Sequence, residues 1–233
     1  MLRRLLAETL GTAFLLATVV GSGIAAVQLS GGNAALALLC NAVATGAILV
    51  VLITVLGPVS GAHVNPAVSL TMALERRLAW TALGPYVAAQ LVGAVLGVIA
   101  AHTMFEQPML QLSTTGRTGP GQWLGEAIAT FGLLLTIFGC IARAPKSTPL
   151  AVGLYVLAAY WFTSSTSFAN PAVTIARSLT DTFAGIAPAD VPAFIVAQMA
   201  GTFAAVLTGK VLWPGVSPAC AARPAPPPKP AGS

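Results

Sequence analysis

Apolar residues run along this chain in long blocks, not at the spacing of a soluble amphipathic helix. The run LCNAVATGAILVVLITVLG is apolar on every face of a helix. That is the pattern of a segment surrounded by lipid or by other helices. Six such runs predict spanning helices at roughly 5–27, 34–57, 79–103, 121–142, 149–164 and 191–213, since about 20 apolar residues cross a hydrocarbon layer. Two more apolar stretches, 65–74 and 170–182, are too short to cross. Their length, about ten residues each, predicts re-entrant segments. The end of the chain, SPACAARPAPPPKPAGS, cannot build a core, so 214–233 is expected to be disordered. The first run starts with basic residues, as a signal peptide does, but its apolar stretch is too long, so it reads as a retained first span.

Composition narrows the class. Of 233 residues, 56% are hydrophobic and only 7% charged, against about 25% charged in soluble domains. Mean hydropathy is +0.85. The fold expected is an all-α membrane protein of six transmembrane helices plus two re-entrant half-helices. The net charge of +5 forms no basic stripe with interleaved aromatics, which excludes nucleic acid as a partner. Cys40, Cys140 and Cys220 lie far apart with no metal spacing, and Cys40 and Cys140 read as small packing residues.

The cations report topology instead. With the N-terminus in the cytoplasm, nine of the eleven Lys and Arg fall on that side: Arg3, Arg4, Arg76, Arg77, Arg143, Lys146, Lys210, Arg223 and Lys229. Only Arg117 and Arg177 fall outside. This asymmetry orients the chain with both termini cytoplasmic. It requires each short segment to dip in and return to its own side.

The chain also repeats itself, about 5–103 against about 121–213. Each half has an early glutamate, Glu8 in AETLGTAF and Glu126 in GEAIATFG. Each then has an Asn-Pro-Ala, Asn65-Pro66-Ala67 and Asn170-Pro171-Ala172. Each closes with a glutamine, Gln90 in AAQLVGA and Gln198 in VAQMAGT. Three spans per half is an odd number, so the halves are inverted in the membrane. Inverted repeats place the working site at the midplane.

Asparagine is a favoured N-cap and proline a favoured first helical residue. Each Asn-Pro-Ala followed by an apolar run is therefore a helix start. If both starts meet at the midplane, their free N–H groups and positive dipole ends converge on one spot and repel cations. The Asn65 and Asn170 amides then offer N–H donors to a passing solute while their oxygens stay on the caps.

These motifs resemble the major intrinsic protein family, the aquaporins and glycerol facilitators. SGAHVNPAV at 60–68 follows the family pattern closely, SFANPAV at 167–173 keeps its core, and the likeness covers about 5–213. It implies an aquaporin-like hourglass pore in each subunit of a homotetramer, passing water or small neutral molecules without a cofactor or catalysis. It further implies a plasma (inner) membrane location, exclusion of protons, Asn65 and Asn170 at the constriction, and Glu8 and Glu126 as braces of the re-entrant loops. His63 resembles a pore-lining histidine; its alternative is a residue packing the re-entrant turn.

One departure stands out. Most members carry an arginine directly after the second Asn-Pro-Ala; here the residue is Val173. Valine donates no hydrogen bond and carries no charge, so a wider, less polar outer filter is expected. Arg177, one turn further on, either moves charge to the outer mouth, pairs with Asp181, or snorkels at the interface. By family offset the remaining filter positions fall on Thr45, on Ser167, and on either Ala158 or Tyr160. Bacterial members resembling NPAVTIAR and lacking the arginine are associated with arsenite. The passengers expected are thus water, glycerol-like polyols and As(OH)3.

Other classes fit less well. A secondary transporter of a small solute would need an ion site at the midplane, for which only Glu8 and Glu126 qualify. An enzyme would need a nucleophile beside a base, and His63 and His102 are not so arranged. They also lack the carboxylates of a metal site.

Overall fold

The computed structural model describes residues 1–214. From residue 215 on, the tail expected to be disordered lies outside the described residues. Eight α-helices are present among the described residues: α1 Leu2–Leu29, α2 Ala34–Ser60, α3 Pro66–Leu74, α4 Trp80–Met104, α5 Pro120–Arg143, α6 Thr148–Phe162, α7 Pro171–Arg177 and α8 Val191–Leu212. Five of the long helices have the length and hydropathy to cross a membrane. The sixth, α6, has 15 residues, about 22 Å at 1.5 Å per residue. It is extended at its start by a 3₁₀ turn, Pro145–Ser147.

The apolar blocks divide by face. Val43, Val51 and Val55 of α2 and Val196, Leu207 and Val211 of α8 are exposed, where a bilayer would receive them. Cys40 is exposed on the same surface, so it is not the packing residue expected. Inward faces build the core, with Leu16, Val20, Ala94, Val98 and Ile186 fully or almost fully buried. Helix α1 packs on α2 and α4, α5 packs on α6 and α8, and α2 packs on α6. Both half-helices, α3 and α7, lie against α4 and α8 and touch each other.

Glycine sets the closest approaches. A side chain at Gly93 or Gly97 would run into the α1 carbonyls of Thr9 and Ala13, and one at Gly201 into Ala127 O on α5. The Gly93-x-x-x-Gly97 pair therefore packs helices within the subunit. Where α2 crosses α6, the contact is glycine on glycine: a Cβ at Gly153 would sit 2.6 Å from Gly46 O, and one at Gly46 would sit 2.8 Å from Gly153 O. These obstacles are backbone, so no rotamer change relieves them.

The second short segment differs from its expected extent. The stretch 170–182 reads as one short re-entrant segment, yet α7 ends at Arg177. Backbone carbonyls there are claimed by the loop after α4: Gln111 N donates to Leu179 O at 3.1 Å and Ser113 N to Ser178 O at 3.0 Å. His102 holds the same region. Its Nδ1 donates to Met109 O at 3.0 Å, so its Nε2 accepts from the Thr180 hydroxyl at 2.7 Å. The chain is thereby drawn into an extended loop before it can wind another turn.

Replacing Gly153 by valine is expected to destabilise the fold by about 1–3 kcal/mol or more through overpacking. Gly84→Ala, with nothing within 4 Å of the added atom, is the control expected to keep stability or raise it slightly, since alanine is the better helix former. Thermal unfolding in detergent checks both.

Candidate functional site

Each half-helix begins where the sequence places its cap. Asn65 Oδ1 accepts from Ala67 N at 2.8 Å, and Asn170 Oδ1 accepts from Ala172 N at 3.0 Å and Val173 N at 3.3 Å. The chain reaching each cap is bent into the left-handed region at matching positions. Ala62 and Val64 have φ of 46° and 42°, and Ser167 and Ala169 have φ of 52° and 47°. Such angles disfavour non-glycine residues by about 1–2 kcal/mol each, most of all a β-branched valine.

Two buried carboxylates hold these turns. Glu8 accepts from His63 N at 3.0 Å and Val64 N at 2.7 Å. Glu126 accepts from Phe168 N at 2.8 Å and Ala169 N at 2.9 Å. A glutamine ties each carboxylate to its half-helix. Gln90 Nε2 donates to Glu8 Oε2 at 2.8 Å and Ser69 Oγ at 2.9 Å. Gln198 Nε2 donates to Glu126 Oε2 at 2.6 Å and Thr174 Oγ1 at 2.8 Å. Ser69 and Thr174 each stand one turn beyond the capping asparagine. Both glutamates are fully buried and committed to backbone, so neither is free to serve as the ion site that a coupled transporter needs.

The two halves also lock to each other. Asn65 Nδ2 donates to Ala169 O, and Asn170 Nδ2 donates to Val64 O, both at 2.8 Å. One N–H of each amide is thus spent across the midplane, which the sequence reading did not foresee. An amide nitrogen carries two, and the second remains for whatever lies beside it.

Beside it runs a cavity of about 330 Å3, lined from Arg77 and Thr148 at one end to Arg177 and Tyr160 at the other. Its wall is mostly aliphatic, with Leu15, Leu49, Leu133 and Val152 among the lining. Between Arg77 and Thr148 at one end and Arg177 at the other, the polar groups are few: Asn65, Asn170, His63, Thr45, Tyr160 and Ser167 all line it. His63 Nδ1 lies 3.0 Å from Ser69 Oγ, and its ring is tilted on Tyr86 at 5.3 Å. Thr45 and Tyr160 share a hydrogen bond at 3.2 Å. Ala158 is exposed on another face of α6 and does not line the cavity. Of the two candidate positions, Tyr160 falls on the cavity wall and Ala158 does not.

Val173 and its counterpart Val68 both line the cavity, as do Met72 and Arg177 at the next matching position. Arg177 is 2% exposed. Its Nε donates to Ala184 O and its Cζ stands 3.4 Å from the Phe168 ring centroid. It neither snorkels nor pairs with Asp181, whose carboxylate accepts from Thr114 N at 2.8 Å and Thr114 Oγ1 at 3.0 Å. Arg117 approaches the same ring, its Cζ at 5.1 Å. It lies in the loop before α5, and burial pushes its pKa below the ordinary value, opposed by Tyr160 and Glu126; arginine remains charged even so. The partner residues Ser69 and Thr174, Phe168 and the loop arginine carried no sequence signal by themselves. Aligning the two halves on their asparagines would have exposed the first pair.

Known proteins share the sequence pattern and the fold. The family model described as Major intrinsic protein matches residues 1–169. An aquaglyceroporin of Rhizobium meliloti (strain 1021), AqpS, is 55% identical over 204 residues, 88% of this chain and 87% of that protein. The putative aquaporin NIP4-1 of Arabidopsis thaliana is 32% identical over 185 residues, 76% of this chain and 64% of that protein. Among solved structures, the aquaglyceroporin from Plasmodium falciparum superposes with a TM-score of 0.73 over 94% of this chain and 98% of that one. Its 20% identity speaks to the fold alone.

Removing the Glu126 carboxylate strands the N–H groups of Phe168 and Ala169. Glu126→Ala is expected to lose on the order of 3 kcal/mol of stability, and Glu126→Gln less, because the amide oxygen still accepts. Melting temperature, read beside water flux, separates the two variants.

Proposed function

The chain belongs to the major intrinsic protein family, and from that premise we propose the passengers, the filter and the assembly of its channel. It is a multi-pass membrane protein that conducts passively and is not an enzyme. Water and glycerol-type solutes are its passengers. The observation that carries this reading is the pair of asparagine-capped half-helices meeting inside one continuous, mostly apolar cavity. Converging N-terminal dipoles oppose cations there, and aliphatic walls give an ion nothing to replace its hydration shell. An uncharged solute loses less on entry and finds amide donors at the narrowest point.

The finer reading concerns the outer filter. Val173 presents two methyl groups to the cavity, leaving Thr45, Tyr160 and Ser167 as the hydroxyl set around it. This is a wide filter for solutes larger than water, suited to polyols and to As(OH)3, which is uncharged near neutral pH and similar in bulk. The closest charge, Arg177, stands one turn further out. The chain assembles as a homotetramer of four separate pores in the plasma (inner) membrane, both termini cytoplasmic. The distribution of basic residues supports that orientation. Helix N-termini and asparagines at the centre maintain the main proton barrier, so no proton current is expected in proteoliposomes under a pH gradient.

The decisive experiment measures water, glycerol and arsenite fluxes in proteoliposomes for the parent and Val173→Arg. The variant is expected to cut glycerol and arsenite flux about tenfold, or about 1.4 kcal/mol of barrier, while water flux changes much less. Unchanged ratios among the three solutes would refute the filter reading.

A further inference from the structure

The third long helix of each half ends on the same contact. On the outer side Phe105, which closes α4, lies on α1, where a Cβ at Gly21 would sit 3.1 Å from its ring. On the inner side Trp213, which closes α8, lies on α5, where a Cβ at Gly139 would sit 3.1 Å from its ring. The surroundings of the two rings differ. About one turn beyond Gly139 on α5 stands Arg143, and about one turn before Trp213 on α8 stands Lys210. The outer equivalents are Ala25 on α1 and His102 on α4. That histidine is fully buried, and both of its ring nitrogens are bonded within the protein. Of the two rings, the inner one alone is flanked by cations.

Those two cations have nothing to hold within the protein. Both are exposed, and neither side chain has a hydrogen-bond or ion-pair partner among the described residues. No carboxylate is at hand to neutralise them. Of the nine cations assigned to the inner side, Arg223 and Lys229 lie outside the described residues and the other seven are exposed, whereas its two acids, Glu8 and Glu75, are buried. The exposed carboxylates Glu106 and Asp181 belong to the outer loops. Beside the cations runs apolar surface. Phe203, Leu207 and Val211 are exposed on α8 at the spacing of one helix face, and that stripe arrives at Lys210. Half-buried Trp213 stands where stripe and charge meet, the level that tryptophan takes at a membrane–water interface. Apolar stripe, indole and cations thus follow one another in the order of acyl chain, glycerol and phosphate in a phospholipid.

We propose that the inner ends of α5 and α8 bind an anionic phospholipid, its phosphate held by Arg143 and Lys210 and an acyl chain laid along Phe203, Leu207 and Val211. The site does not depend on what the cavity conducts; only its leaflet rests on the orientation with both termini cytoplasmic. A guanidinium takes a phosphate through parallel hydrogen bonds, and an ammonium adds a compact charge. The seat of Trp213 on Gly139 keeps the two helix ends together, so both long side chains start from one place and reach one headgroup. Two cations without a carboxylate favour a lipid of net negative charge. A zwitterionic lipid brings a positive group of its own toward them.

Brominated acyl chains quench a tryptophan they touch, so Trp213 can report the site once Trp80→Phe, Trp123→Phe and Trp161→Phe leave it alone in the chain. In phosphatidylcholine liposomes the probes are dibromo-phosphatidylglycerol and dibromo-phosphatidylcholine at equal mole fraction. The anionic probe is expected to associate about tenfold more strongly, within what two cations at about fivefold each supply. Adding Arg143→Gln with Lys210→Gln is expected to cut that preference to about twofold or less. Arg3→Gln with Arg76→Gln removes the same charge elsewhere on the inner side and is expected to keep it. No preference before these changes, or an equal loss in both pairs, would overturn the proposal, the second outcome making the preference a property of the whole face. Excess glycerol 1-phosphate or inorganic phosphate is expected to leave the quenching as it was. Its release would reveal a site for free phosphate and overturn the lipid assignment. Should the triple tryptophan replacement fail to fold, melting temperature in nanodiscs decides with all tryptophans in place. The parent and Arg3→Gln/Arg76→Gln are expected to melt higher in phosphatidylglycerol than in phosphatidylcholine, and Arg143→Gln/Lys210→Gln equally in both. Equal melting of the parent in the two lipids would overturn the proposal. None of these readings uses flux, so a failure here leaves the channel reading untouched.

Discussion

Everything in this fold hangs on two carboxylates that accept hydrogen bonds from bent backbone. A half-helix that stops at the membrane midplane must bring a loop there, and loop N–H groups in hydrocarbon are costly when unpaired. Glu8 and Glu126 meet that demand, each taking two consecutive N–H groups just before a capping asparagine. The left-handed turns at Ala62, Val64, Ser167 and Ala169 place those N–H groups on one carboxylate. Charge-assisted bonds of about 1.5–3 kcal/mol apiece outweigh the backbone strain. Without the brace, the asparagines have no defined position and the helix starts do not converge.

The brace works because it is duplicated. Glutamate, glutamine, the hydroxyl one turn beyond the asparagine and the crossing amide recur in both halves with nearly equal distances. Glycine contacts between α2 and α6 bring the halves close enough for Asn65 and Asn170 to reach each other's loops. The cavity follows the meeting line, so its centre is the most symmetric part of the molecule and its ends the least. Differences between the halves are accommodated at the ends for that reason. The centre is fixed by the mutual constraint of the halves, whereas Met72 and Arg177, or the start of α6 at Thr148 and the loop carrying Arg117, differ without disturbing it.

Much of this was legible in the sequence because the membrane leaves few choices. Apolar runs of about 20 residues are helices there, and a matched pair of Asn-Pro-Ala starts has one sensible use. The glutamates and glutamines were visible as repeats, and their partners follow once the halves are overlaid. What escaped depends on paths through irregular chain. Which of Ala158 and Tyr160 faces the cavity depends on how α6 is rotated against α2, which no apolar run reports. The end of α7 at Arg177 was set by carbonyls bonded to a loop some 65 residues earlier in the chain, and the approach of Arg117 to Phe168 depends on that same long-range loop.

The distribution of polar groups explains why the passage is selective without being sticky. A polar wall would bind solutes and slow them, while a wholly apolar one would not admit them. Here the aliphatic residues of α1, α2, α5 and α6 cover most of the surface, and donors occur at separated points: Arg177 at the outer end, the two asparagines at the middle, His63 toward the inner end. Each asparagine spends one N–H on the opposite loop and its oxygen on the cap, so a solute gains a single bond there, not several. A single neutral hydrogen bond has a net value of about 1 kcal/mol, enough to offset part of the desolvation and too little to hold the solute. Tight cross-bonding of the two halves thus has a second effect beyond architecture: it limits how strongly the centre can bind what passes through it.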